Sequence, residues 1–166
     1  MPDVKATLTL TYDIDGEGAM TVSQQMKTTP DAKVSDLLRF GMVMDLAYNM
    51  DQSEFYGRGP IENYVDRKAS QNVGIYKQTA DQQFFPYIRP QETGTKSDIR
   101  WWKQTTAEGL GFLVTAQESY FDASALHYNI SDLDEGDSKA QRHSPEVPKS
   151  KYTELCLDLA QFGLGG

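Results

Sequence analysis

The chain has 166 residues, the size of one ordinary domain, and its 39% apolar content suffices for a core. Its net charge of −8, with lysines and arginines scattered along it, argues against nucleic-acid or anionic-membrane partners. No apolar run approaches the ~20 residues that span a bilayer, and a single cysteine, Cys156, excludes an internal disulfide.

The pattern from the N-terminus has period two. Leu8, Leu10, Tyr12 and Ile14 alternate with Thr7, Thr9, Thr11 and Asp13, which predicts a half-buried strand. Asp15-Gly16-Glu17-Gly18 is a turn, and Met20 and Val22 resume the alternation in 19–26 to make a hairpin. The opening MPDVKATLTL lacks the basic-then-apolar order of a signal peptide. Thr29-Pro30-Asp31 ends the hairpin, and Phe40, Met42, Met44 and Leu46 mark the next strand. Further strands are expected near 99–104, 111–117 and 152–160, the last with Leu155, Leu157 and Leu159 on one face and Cys156 as a small core residue. Helical turns are allowed only within 45–54 and 124–133. The polar segment 132–150, with Pro145 and Pro148, reads as a long exposed loop. The whole predicts an all-β, antiparallel β-sandwich.

Two stretches depart from this regularity: EFYGRGPIENYVDRK, Glu54 to Lys68, and FPYIRPQETGTKSDIR, Phe85 to Arg100. Each gathers aromatics, Gly, Pro, Arg and carboxylates, the composition of a rigid, polar-cornered loop system. Gly and Pro fix unusual backbone angles, and Arg beside a carboxylate makes charge-assisted pairs. The run Gly57 to Arg67 followed by Pro86 to Glu92 resembles the C-terminal β-sandwich domain of the large bacterial β-galactosidases of glycoside hydrolase family 2. Some relatives encode this region as a separate small chain. Asp98 to Trp101 and the closing Leu157 to Gly166 fit the same pattern.

The resemblance carries further expectations. It implies the supersandwich of the galactose-mutarotase-like class, present as one partial domain over 1–166 and incomplete at both ends. It implies a retaining parent that hydrolyses terminal β-D-galactosides, is a homo-oligomer, and keeps its catalytic glutamates and magnesium ligands in a separate barrel domain. That barrel and the galactoside are the expected partners; no cofactor, metal or catalytic residue is assigned to this chain. The loop Gln91, Glu92, Thr93, Gly94, Thr95 and Lys96 matches one that lies beside the active-site mouth and moves during the reaction cycle, although the family often has Asn where Thr93 stands. With few apolar residues it is expected to be mobile in the domain alone. In the family a Trp beneath the galactose ring follows the glycine-rich turn matched by 163–166, so the strand at 155–160 is expected to have one open edge.

The remaining candidates are weighed by their chemistry. Glu62, Asp66 and Glu92 are the conspicuous carboxylates, but pairing with Arg58, Arg67 or Arg89, or with Asp98 as a further acid, is favoured over acid–base work. Tyr64 belongs to the same structural motif. Trp101-Trp102, Tyr56, Tyr64 and Tyr87 could stack on sugar rings; adjacent strand residues point to opposite faces, so at most one Trp is available. Ser131 to Asp137 lacks the ligand spacing of a calcium loop, and Asn129-Ile130-Ser131 is a weak glycosylation match. The alternatives are a stand-alone carbohydrate-binding module and a mutarotase-like enzyme, the latter disfavoured because His127 and His143 lie outside the motif-rich loops.

Overall fold

The computed structural model describes residues 6–30, 37–134 and 142–162. It divides into two compact units, residues 1–37 and 38–166. The first is the predicted antiparallel hairpin, of β1 (Ala6–Ile14) and β2 (Met20–Thr28), with Leu8 opposite Met26 and Tyr12 opposite Val22. Asp15 closes its turn by accepting the amides of Glu17 and Ala19, both at 2.9 Å.

The second unit is a sandwich of two four-stranded antiparallel sheets. β3 (Arg39–Ala47), β10 (Tyr152–Gln161), β9 (Phe121–Leu126) and β6 (Lys96–Ile99) form one sheet in that order. β5 (Asn72–Thr79), β4 (Gln52–Gly59), β7 (Trp101–Thr105) and β8 (Gly111–Thr115) form the other. The core between them is Phe55, Ile99, Trp102, Phe121, Ala123, Ala125, Leu155 and Leu157. Trp102 is wholly buried and stacks on Phe55 at 4.9 Å, which assigns it to the core and leaves Trp101 on the outer face.

Five corrections follow from the topology. The segment 52–59 is a strand, because Ser53, Phe55, Gly57 and Gly59 turn inward with period two; the polar loop begins only at Pro60. Residues 45–54 hold a tight turn, closed by Met50 N–H to Ala47 C=O at 2.8 Å, and not a helical one. The 155–160 strand is not open over 155–158, where β10 lies between β3 and β9; only its Leu159 and Ala160 lack a β9 partner. A bulge between Asp158 and Ala160 shifts its phase, so Leu159 is 52% exposed while Leu155 and Leu157 are buried. The 132–150 segment is not wholly exposed: Ser144, in the 3-10 turn Ser144–Glu146, and Val147 are buried, while 135–137 of the acidic 131–137 run and the glycines at 163–166 lie outside the described residues.

A polar relay crosses the core. The Ala125 amide donates to Gln83 on the short helix α1 (Ala80–Gln83), Gln83 donates to Ser53, and Ser53 donates to Gln104. Gln104 also accepts from the Trp102 indole at 2.8 Å and donates to the Met50 carbonyl at 2.7 Å. Each buried polar group is thereby satisfied, so the relay costs little and joins the two sheets. The other short helix, α2 (Ile130–Leu133), falls within the segment where a helical turn was allowed.

Candidate functional site: a doubly clamped loop corner

The chain leaves β5, makes α1, and returns to the first sheet through residues 84–95 before entering β6. Residues 92–97 of this return are buried throughout, against the expectation of a loose connector, and Gln91 alone of the 91–96 loop is exposed. Two carboxylates from different elements explain the burial.

The first is Glu62, in the loop after β4. One oxygen accepts the Arg67 guanidinium at 2.6 Å and the Tyr87 hydroxyl; the other accepts the Gly94 amide at 2.7 Å and the Thr93 hydroxyl at 3.1 Å. Arg67 lies over the Tyr64 ring at 4.8 Å. Burial first, and the neighbouring carboxylates after it, raise the Tyr64 hydroxyl well above its ordinary pKa and keep it neutral. Gly94 sits at φ +84°, and a Cβ there would lie 2.9 Å from the Gln83 carbonyl oxygen, so the position requires glycine. Its carbonyl accepts Lys96 Nζ at 2.6 Å, so the peptide groups on both sides of Gly94 are held.

The second is Glu92, which accepts Arg39 Nη1 at 2.9 Å and the Thr95 hydroxyl at 3.0 Å. Arg39 also makes a bidentate pair with Asp158, Nε to Oδ1 at 2.7 Å and Nη2 to Oδ2 at 2.6 Å. Burial raises the pKa of Glu92, with Arg39 and Thr95 opposing it. Gly41 faces Asp158 across β3–β10; a Cβ there would lie 2.2 Å from the Leu157 carbonyl oxygen, inside any tolerable contact.

Asn63 binds the corner together. It donates its amide to Thr95 C=O at 2.8 Å and its side-chain NH2 to the carbonyls of Arg58 and Ile61, and accepts both the amide and hydroxyl of Ser97. Beyond it, Asp98 at φ +54° accepts Arg58 Nε at 2.5 Å and Lys68 Nζ at 2.8 Å. Burial would raise its pKa, but these two cations outweigh burial and hold it below the usual carboxylate range.

The expected pairs are therefore present for Arg58 with Asp98 and Arg67 with Glu62. Arg89 and Asp66 are exposed and form no ion pair among the described residues. Glu92 takes Arg39 instead, and Arg39 and Asp158 were both missed. Their signal was an Arg at the head of one apolar strand and an Asp interrupting another, which suggests a cross-strand pair only once the strands are known to be neighbours. Glu62 accepts four donors, one of them the Gly94 amide, and Glu92 accepts the Arg39 and Thr95 side chains, so both carboxylates hold the loop. His127 is buried elsewhere, between the Asp81 carboxylate and the Tyr48 carbonyl, each at 3.1 Å.

Fold and corner together define a β-sandwich domain that presents a rigidly held loop. The whole chain, residues 1–166, matches the family described as beta galactosidase small chain, and it belongs to that family. It is 35% identical over 164 residues to a beta-galactosidase of Lactobacillus delbrueckii subsp. bulgaricus, covering 98% of this chain and 15% of that protein. It is 32% identical over 161 residues to a beta-galactosidase of Priestia megaterium, covering 97% of this chain and 15% of that protein. Beta-galactosidase BgaC of Bifidobacterium adolescentis is 31% identical over 164 residues, with 98% and 15% covered. The chain thus spans about 15% of the length of these relatives.

Proposed function

We propose that the chain is a domain of a larger retaining β-galactosidase that hydrolyses terminal β-D-galactosides, and that it buttresses the catalytic barrel while residues 91–96 wall one side of the sugar site. The barrel supplies the acid, the nucleophile and any magnesium, and the parent is a homo-oligomer. One observation carries the reading: a chain matched end to end by the small-chain family holds one loop by two charge clamps, one of them on its backbone. Binding energy is best used where the supporting shell is rigid, and a loop so anchored suits a wall of a substrate site.

Gln91 separates position from stability because it is exposed. Introduced into the longer parent, Gln91→Trp is expected to leave the melting temperature unchanged and to raise KM for a chromogenic galactoside about tenfold, roughly 1.4 kcal/mol of lost binding. Unchanged kcat and KM would place the loop away from the sugar. The 166-residue chain alone is expected to give no turnover once host enzyme is removed.

A further inference from the structure

We propose that the outer face of the second sheet carries a saccharide-binding site of its own, separate from the loop corner. A groove of about 440 Å³ opens there, lined by Gln52, Glu54, Lys77, Gln82, Lys103 and Thr105 among others. Its volume falls within the ~300–1,000 Å³ of small-molecule sites. The strand register builds it. Lys77, Glu54 and Lys103 stand opposite one another in a row across β5, β4 and β7, and Ile75, Tyr56 and Trp101 form the next row on the same face.

The chemistry of these rows selects the ligand. Glu54 and Lys77 approach only to 3.5 Å, a loose contact, and Lys103 has no ion-pair partner among the described residues. A carboxylate between two ammonium groups, bordered by amides and a hydroxyl, offers acceptors and donors side by side. Vicinal hydroxyls of a neutral sugar use both, each donating to the carboxylate and accepting from an ammonium. The groove is too polar for an apolar guest. Beside it, the Tyr56 and Trp101 rings lie 6.5 Å apart with their planes at 49°, and Tyr56 is 37% exposed. The Arg100 guanidinium lies over the Tyr56 ring at 5.2 Å, so Trp101 is the ring that provides a flat apolar face for the C–H side of a pyranose. Polar row and aromatic row together have the amphipathic character that a saccharide presents.

The site is tested on the 166-residue chain with β-1,4-galactobiose as probe. Only two tryptophans are present, and Trp102 is wholly buried, so a change in emission reports Trp101. A saturable emission change with a dissociation constant in the millimolar range is expected, weakened at least tenfold in both Glu54→Gln and Lys103→Ser. Lys103 is exposed, so its variant is expected to melt with the parent chain, which separates lost binding from lost fold. The absence of saturation, an equal response to glycerol, or undiminished binding in both variants would overturn the proposal. So would sedimentation showing that a second copy of the chain shields Trp101. None of these outcomes bears on Gln91 in the parent enzyme, so the two readings stand or fall apart.

Discussion

Replacing Glu62 by alanine tests the corner most directly. The carboxylate is 3% exposed and receives four donors, but these donors differ in what they lose. The Arg67 side chain is 51% exposed and can turn to water, so its share is ~0–1 kcal/mol. The Thr93 hydroxyl retains the Phe85 carbonyl at 3.0 Å. The Gly94 amide has no such recourse; it is buried, and an unpaired buried N–H costs ~1–3 kcal/mol. The sum is ~1–4 kcal/mol, which for a domain of this size lowers the melting temperature by roughly 3–12 °C. Arg67→Ala removes only the exposed partner and leaves Glu62 three donors, so it is expected to cost ~1 kcal/mol or less. Glu62→Gln should fall between the two, since its carbonyl can still accept the Gly94 amide while its NH2 faces other donors. Thermal melts of the three variants, with amide exchange at Gly94, decide the matter. An Arg67→Ala loss equal to or above that of Glu62→Ala would show that the ion pair, and not the Gly94 amide, holds the loop.

Three further outcomes are expected. Burial lowers the Lys96 pKa to about 7 against 10.5 for the free group, with Glu62 opposing. The unfolded chain therefore binds more protons between these values, and stability should rise with pH across that window by up to ~1.4 kcal/mol per pH unit. Denaturant melts of Lys96→Met should lack that rise; an unchanged slope would assign it elsewhere. Burial, with Asp158 and Asp98 adding to it, raises Asp122 to about 6 from 3.8. The folded form then holds the extra proton, so stability should fall as pH rises from 3.8 to 6, and Asp122→Asn should flatten the fall and stabilise the chain at pH 7. Gly41→Ala must part β3 from β10 or move the Asp158 side chain, and should cost at least the ~1–3 kcal/mol of an overpacked site. A melt within error of the parent chain would show that the strands separate freely.

The strands legible in the sequence are β1, β2, β3 and β8, with one apolar and one polar face, the alternating first half of β10, and β7 within the expected 99–104 segment. β5 was missed because its pattern is inverted: Val73 and Ile75 face outward at 39% and 62% exposure, while Gly74, Tyr76 and Gln78 turn inward. β9 was missed because it is covered on both faces, with Ser124 and Leu126 as buried as Ala123 and Ala125, so no period appears. β4 was read as loop because glycines occupy two of its inward positions, Gly57 and Gly59; at Gly57 a Cβ would lie 2.3 Å from the Ile99 side chain. At the corner, residue types announced the chemistry but not the partners. Arg67 lies five residues from Glu62 and was within reach of local reasoning, whereas Arg39 lies 53 residues from Glu92 and 119 from Asp158. Such pairs follow from topology, which period and composition do not supply.

The arrangement of the two clamps bears on what the corner is for. A segment that had only to connect α1 to β6 would satisfy its backbone with water at the surface. Here the segment is drawn under cover, at the cost of desolvating two carboxylates. Glu62 belongs to the loop leaving the second sheet; Arg39 and Asp158 belong to strands of the first. The loop between them is thus tied to both layers of the sandwich by bonds that do not share a residue. Releasing one clamp leaves the other anchored, so any displacement would pivot about the surviving anchor. Gly94 and Lys96 lie on the Glu62 side of that pivot, with the left-handed residue Gly94 gripped at both its N–H and its C=O. Charge in this corner sets backbone position.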